Sequence, residues 1–201
     1  MKKKGKALII IGVIFLVGAL GLTGFNVVDA MRAGKNAESL LESIESSMEE
    51  QSPDFTKRKD NDAVPEMPTK EIDGNRYIGV IEIPSLSVSL PVFAEWNYDL
   101  LKLSPCYYSG SYYTNDLVLC AHNYRSHFGR LRRTAIGTDI YFTAVSGETY
   151  HYIVSNRETL KPDENDRMIT SDGTWDLTLF TCYTGGRTRC TLRCTLAKTE
   201  S

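Results

Sequence analysis

Residues 7–28, ALIIIGVIFLVGALGLTGFNVV, contain no charged side chain. A helix needs roughly 20 apolar residues to cross the hydrocarbon of a bilayer. The run predicts one transmembrane helix, because a cleaved secretory leader has a shorter apolar region of about 7–15 residues. Residues 1–6 carry four lysines, which places the N-terminus in the cytoplasm and everything after the span outside the cell. Over residues 30–50, Leu40, Leu41, Ile44 and Met48 recur at intervals of three and four. That is a single apolar stripe on an acidic helix, suited to a stalk or to a helix lying on a domain. Residues 51–75 are rich in charge and proline and read as a linker. The organisation expected is a tail at 1–6, a signal anchor at 7–28, a helical stalk and linker at 29–75, and a domain at 76–201. That domain is long enough for its own core.

Within it the pattern turns to short strands. Residues 77–84, YIGVIEIP, alternate and end in proline, as a strand does. Residues 90–93, LPVF, predict a short strand at a sheet edge, since proline donates nothing to a ladder. Residues 97–103 are the best helical segment. Further strands are expected at 116–121, 139–142, 149–154, 177–181 and 189–196. Turn pairs separate them, including Ser146-Gly147, Asp172-Gly173 and Gly185-Gly186. Many short strands at modest spacing predict a mostly-β domain, a closed or nearly closed barrel with short helices.

Charge excludes little. The formal net charge is −2, and lysine and arginine are not gathered on one element beyond the membrane end, which speaks against nucleic acid as a partner. The three histidines are scattered and no Cys-x-x-Cys pair occurs, so neither a metal nor a cofactor is expected. The acidic positions Glu148, Asp163 and Glu164 read as a solvated face. Of the five cysteines, Cys190 and Cys194 share the apolar parity of the last strand with Leu192 and Leu196. Their Cα atoms would lie about 13 Å apart along an extended strand, too far for a disulfide. Cys120 sits in an apolar run and reads as core. Cys106 follows Ser104-Pro105, and its place is open.

Cys182 differs. It ends the strand 177–181 immediately before a turn, where a thiol can stand at a barrel rim. Cationic neighbours favour a thiolate, and Arg189 and Arg193 lie on the polar parity of the strand that returns beside it. Arg187 is a mobile-turn rival. A general acid/base is still needed, and His122 supplies one at the end of the apolar strand 117–121. Asn123 follows it in the loop. Thr181 stands beside the cysteine. His127 reads as a loop-positioning residue and His151 as structural.

These residues, taken together, resemble a known family. Thr178-Leu179-Phe180-Thr181-Cys182 looks like the TLxTC signature of the sortases. Arg189 occupies their downstream arginine, and Ala121-His122-Asn123 resembles their histidine site. Residues 77–84 and 90–92 are similar to their first two strands. The likeness covers about residues 76–197. It implies a closed eight-stranded sortase β-barrel behind a membrane anchor, and a cysteine transpeptidase. Cys182 would attack the sorting signal of a secreted protein, typically LPxTG-like, and hold the acyl group as a thioester. His122 would serve as acid and base, and Arg189 would hold the substrate and the oxyanion. Thr181 and Asn123 would contribute to substrate binding. The acceptor would be an amine of the cell wall, with a pilin subunit as the alternative. A cysteine hydrolase and a non-catalytic surface binding module are the other readings. Ser52-Pro53-Asp54-Phe55 is only faintly like the lid of pilin-polymerising sortases, its order being inverted, and no lid is expected.

Overall fold

The computed structural model describes residues 2–49, 65–183 and 185–197. The segment 52–55 lies outside them. Helix α1 (Lys2–Glu49) is shared between two compact units, one of residues 1–32 and one of residues 33–201. In the first unit the large apolar side chains from Leu8 to Met31 are exposed, and the helix is long and apolar enough to cross a membrane.

The second unit is built on strands β1 (Lys70–Ile72), β2 (Asn75–Ile83), β3 (Val88–Phe93), β4 (Cys106–Ser109), β5 (Leu117–Cys120), β6 (Asp139–Ala144), β7 (Thr149–Leu160), β8 (Leu177–Cys182) and β9 (Arg189–Leu196). Two short helices, α2 (Leu100–Leu103) and α3 (Asn165–Ile169), lie between strands. The hydrogen-bonded order is β1-β2-β3-β4-β5-β8-β9-β7-β6, and β6 returns to pair with β2. Strands β2 to β9 therefore close an eight-stranded barrel, with β1 added outside the end of β2. Closure needs a close approach at Gly79, where a Cβ would stand 2.3 Å from the Thr143 carbonyl oxygen.

Several expectations from the sequence are corrected. Strand β3 is not an edge. It pairs with β2 along its length and meets β4 at one position, Phe93 opposite Cys106. So short a second ladder leaves the missing N–H of Pro91 without consequence. Strand β7 runs well past residue 154 because a bulge between Val154 and Asn156 lets it bend and continue along β9. Strand β1 falls in the stretch expected as linker. Asp73 and Gly74, both at positive φ, turn the chain back so that Lys70–Ile72 pairs with residues 75–77. Helix α2 is shorter than residues 97–103. The Asn97 side chain accepts hydrogen bonds from the N–H groups of Asp99 and Leu100 and so acts as a cap ahead of it.

Apolar packing occurs on both sides of the barrel wall. The interior gathers Ile81, Val92, Leu119, Phe142, Leu179 and Leu192. A second cluster, with Val80, Phe93, Val118, Leu160 and Phe180, includes Ile44 from α1. Ala33, Ala37 and Ile44 are buried. Their spacing of four and seven residues makes one helical face, along which Ala37 packs with the first cluster and Ile44 with the second. Strand β5 is buried on both faces, and that is why it reads as an unbroken apolar run rather than an alternating one.

Candidate active site

Strands β5 and β8 are neighbours and parallel, with Leu117 opposite Leu177 and Cys120 opposite Phe180. Parallel strands in register end at the same rim. The chain leaves β5 through Ala121 and His122, and β8 ends at Cys182. One bond ties the two ends: the buried Thr181 hydroxyl donates to the Ala121 carbonyl at 2.8 Å. A second runs from the Ala121 N–H to the Phe180 carbonyl at 3.2 Å. Thr181 thus fixes the backbone one residue before both His122 and Cys182.

Strand β9 brings the arginine. Cys182 pairs directly with Arg189. The hairpin between them is closed by the Tyr183 N–H donating to the Thr188 carbonyl, and Gly185 and Gly186 both turn at positive φ. Nη1 of Arg189 is buried and makes no hydrogen bond among the described residues. An unpartnered guanidinium nitrogen beside an exposed thiol is a donor without an acceptor.

His122, Cys182 and Arg189 line one hollow of about 150 Å³. Its remaining wall is mostly apolar, with Trp96, Tyr98, Tyr108 and Phe180 contributing aromatic rings. Trp96 lies edge-on to Tyr98 at 5.9 Å, and Tyr108 edge-on to Phe180 at 5.1 Å. On its other side Cys182 borders a smaller hollow of about 90 Å³, lined by Asn123, Arg132, Thr181 and Tyr183. All five residues singled out from the sequence therefore border Cys182 or one of its two hollows. Sequence reasoning missed the aromatic wall, whose members come from three separate segments with no shared periodicity. It also missed Arg132.

The loop after His122 is tightly held. The Tyr124 ring stacks on the His122 imidazole at 4.8 Å. Gly129 packs where a Cβ would stand 2.2 Å from the Asn123 carbonyl oxygen. His127 is fully buried beneath this loop. Burial, with the nearby His122, pushes its pKa down to about 4, opposed by the backbone of Ala33 and Leu103. Neither ring nitrogen makes a hydrogen bond of good geometry.

Arg193 is not part of this site. Its side chain is completely buried, contrary to the polar, solvent-facing parity expected for it. It donates to Glu158, to the Thr178 hydroxyl and to the carbonyls of Met168 and Arg167, and its guanidinium lies over Trp175 at 4.3 Å. Desolvation lowers its pKa, and Glu158 opposes the shift. Arg193 therefore anchors α3 to the barrel. His151 pairs with Asp139 at 2.8 Å on the surface. Cys106, Cys120, Cys190 and Cys194 are buried free thiols, and Cys182 is the exposed one.

The family profile of the sortase domain matches residues 81–197. Among solved structures, a sortase C1 from Streptococcus suis is 26% identical with a TM-score of 0.53, over 62% of this chain and 75% of that one. A sortase C1 from Streptococcus agalactiae is 25% identical with a TM-score of 0.55, over 65% and 72%. A sortase C from Clostridium perfringens shares the fold at 23% identity and a TM-score of 0.52, over 85% and 90%. No curated protein matches.

Proposed function

The chain belongs to the sortase family, whose members are cysteine transpeptidases, and we propose that it is a membrane-anchored enzyme that works through Cys182, His122 and Arg189. The observation that carries this reading is the meeting of all three at one hollow, through the parallel register of β5 and β8 and the pairing of Cys182 with Arg189. The Cys182 thiolate attacks the scissile carbonyl of a sorting signal, typically LPxTG-like. An S–C bond forms, the C–N bond breaks, and His122 gives its proton to the leaving amine. An acceptor amine then attacks the thioester, His122 takes a proton from it, and the amide forms as the thiolate leaves. Arg189 Nη1 donates to the substrate oxyanion, a role that commonly contributes about 3–4 kcal/mol. Asn123 and Thr181 border the acyl group. The apolar hollow suits the aliphatic part of the signal. The exposed apolar stretch of α1 holds the enzyme in the membrane, with residues 1–6 in the cytoplasm and the barrel outside.

The acceptor is an amine of the cell wall in the first reading. A second reading makes the enzyme a pilin-polymerising sortase, with an amine of a pilin subunit as the acceptor. The test is incubation of the full chain in detergent with a mixture of LPxTG-like peptides, with and without triglycine, read by mass spectrometry. An acyl adduct on Cys182, absent in Cys182→Ala, with ligated product, is the expected result. Adduct with hydrolysis alone points to a hydrolase. No adduct, together with no labelling of Cys182 by a thiol probe, points to a binding module.

A further inference from the structure

Residues 117–138 and 177–197 contain seven of the twelve arginines of the chain, none of its eleven lysines, and no aspartate or glutamate. This departs from the even spread of basic residues expected at first reading. The two segments carry β5, β8 and β9, and β5 and β9 both pair with β8, so the barrel folds the acid-free stretches together. The short 3-10 turn Phe128–Arg133 also packs on β8 and β9 and presents Arg130, Arg132 and Arg133. Arg132 lines the smaller hollow beside Cys182. Arg157, on β7, donates to the carbonyls of Arg132 and Thr134. Burial raises the Cys190 pKa, opposed first by a hydrogen bond with Tyr183 and then by the field of Arg157 and Arg132.

Among the described residues Arg125, Arg130, Arg132, Arg133, Arg187 and Arg189 form no ion pair. Arg125, Arg132, Arg133 and Arg187 are exposed. Neighbouring segments that carry arginine and no carboxylate of their own present planar forks suited to oxyanions. The thiol thus borders two unlike hollows, one apolar and aromatic with Arg189 at its edge, one smaller and more polar with Arg132 in its lining. The apolar one fits the sorting signal, leaving the Arg132 side for the acceptor. An isolated ammonium is repelled there. An amine carried among carboxylates is attracted, and the same arginines favour its neutral, nucleophilic form.

We infer that the acceptor is a protein lysine flanked by acidic residues, whose carboxylates dock on Arg132 in the smaller hollow beside Cys182 and on Arg130 and Arg133 of the same turn. This rests on the transpeptidase reading and specifies its acceptor.

The test uses the full chain in neutral detergent and three fluorescent peptides: one lysine flanked by Asp and Glu, by Ser and Gly, or by Arg. Anisotropy gives binding, and mass spectrometry gives ligation to acyl-Cys182. The acidic peptide is expected to bind about tenfold more tightly than the neutral one at low salt, with the preference falling as salt screens it. It is also expected to be ligated faster. Arg132→Ser with Arg133→Ser should remove most of the preference, and Arg76→Ser, outside both segments, should retain it. Equal binding of acidic and neutral peptides overturns the inference. So does a preference that survives the double substitution, or tighter binding without faster ligation. Capture by anionic vesicles but not by the acidic peptide assigns the arginines to a lipid surface instead. Failure to form an acyl adduct would count against the transpeptidase reading, which the binding measurement does not depend on.

Discussion

Five cysteines share one chain, and their environments separate them. Burial pushes the Cys106 thiol up to about 12 and raises those of Cys120, Cys190 and Cys194 as well. Those four stay protonated and shielded at neutral pH, while Cys182 is exposed at the end of β8. Iodoacetamide at neutral pH should therefore modify Cys182 alone, read by peptide mapping, and reach the other four only in denaturant. Early modification of Cys190 or Cys120 would contradict the burial argument. Arg189 is separated from Arg193 by the same kind of reasoning. One has an unpartnered nitrogen at the rim; the other has its donors committed to Glu158, Thr178 and backbone carbonyls. Arg189→Lys should lower kcat/KM about a hundredfold, since a point charge does not replace the fork. Arg193→Lys should instead lower the unfolding temperature, because it leaves Glu158 and Thr178 with incomplete partners deep in the wall. Near-normal turnover of Arg189→Lys with donor peptide removes that arginine from the site.

At the scale of elements, the site depends on two parallel strands ending together. Cys182 and His122 could be singled out as candidates in the sequence because one ends and the other follows a strand whose hydrophobic pattern is strong, and because Thr178–Cys182 resembles a family signature. The partnership of the strands was not legible, since register is a tertiary property that neither strand encodes alone. Strands β1 and β4 were missed for a related reason: three or four residues are too few to show a period. The parity rule misplaced Arg193 because it equates the polar face of a strand with solvent, whereas α3 covers that face here. Thr181→Val tests the coupling of the two strands. It removes the hydroxyl that donates to Ala121 at nearly constant volume and leaves a buried carbonyl short of a partner, costing about 1–3 kcal/mol. The expected result is a kcat loss of at least about tenfold with KM for donor little changed. An equal loss of stability with kcat intact would make Thr181 structural only. The loop that bears His122 has its own signature. His127, held down to about 4, is neutral in the fold but protonated in the unfolded chain below its ordinary value near 6.5. Unfolding then takes up a proton, so stability falls as pH drops from about 6.5 to about 4 and levels off below that. The loss should total about 3 kcal/mol. His127→Leu should flatten denaturant-melt midpoints across that window, and an unchanged slope would show that other groups dominate it.

For the molecule as a whole, the question is where the folded unit begins. Composition suggested a stalk and linker ahead of the barrel, and the apolar stripe was visible through Leu41 and Ile44. The buried face also includes Ala33 and Ala37, residues too small to register as a stripe yet suited to close packing of a helix on a wall. Ile44 is completely buried with Val80, Val118 and Phe180. Without residues 33–49 those strands would expose apolar surface on the outside of the barrel, which is costly at about 25 cal/mol per Å². Two truncations separate the contributions. A chain beginning at Ala33 keeps the helical cover and should unfold as cooperatively as the full chain. A chain beginning at Pro65 loses it and should melt several degrees lower and bind a hydrophobic dye. Ile44→Ala in the longer fragment should account for about 2–4 kcal/mol of the difference. Equal melting temperatures for the two fragments would mean that the helix lies on the barrel without stabilising it. His127 and Gly34, which face each other's elements through Ala33 and Ser126, would then also be free of that constraint, and kcat should be the same in both fragments. A lower kcat in the Pro65 fragment, measured well below its melting point, would show that the helix also holds the His122 loop in place.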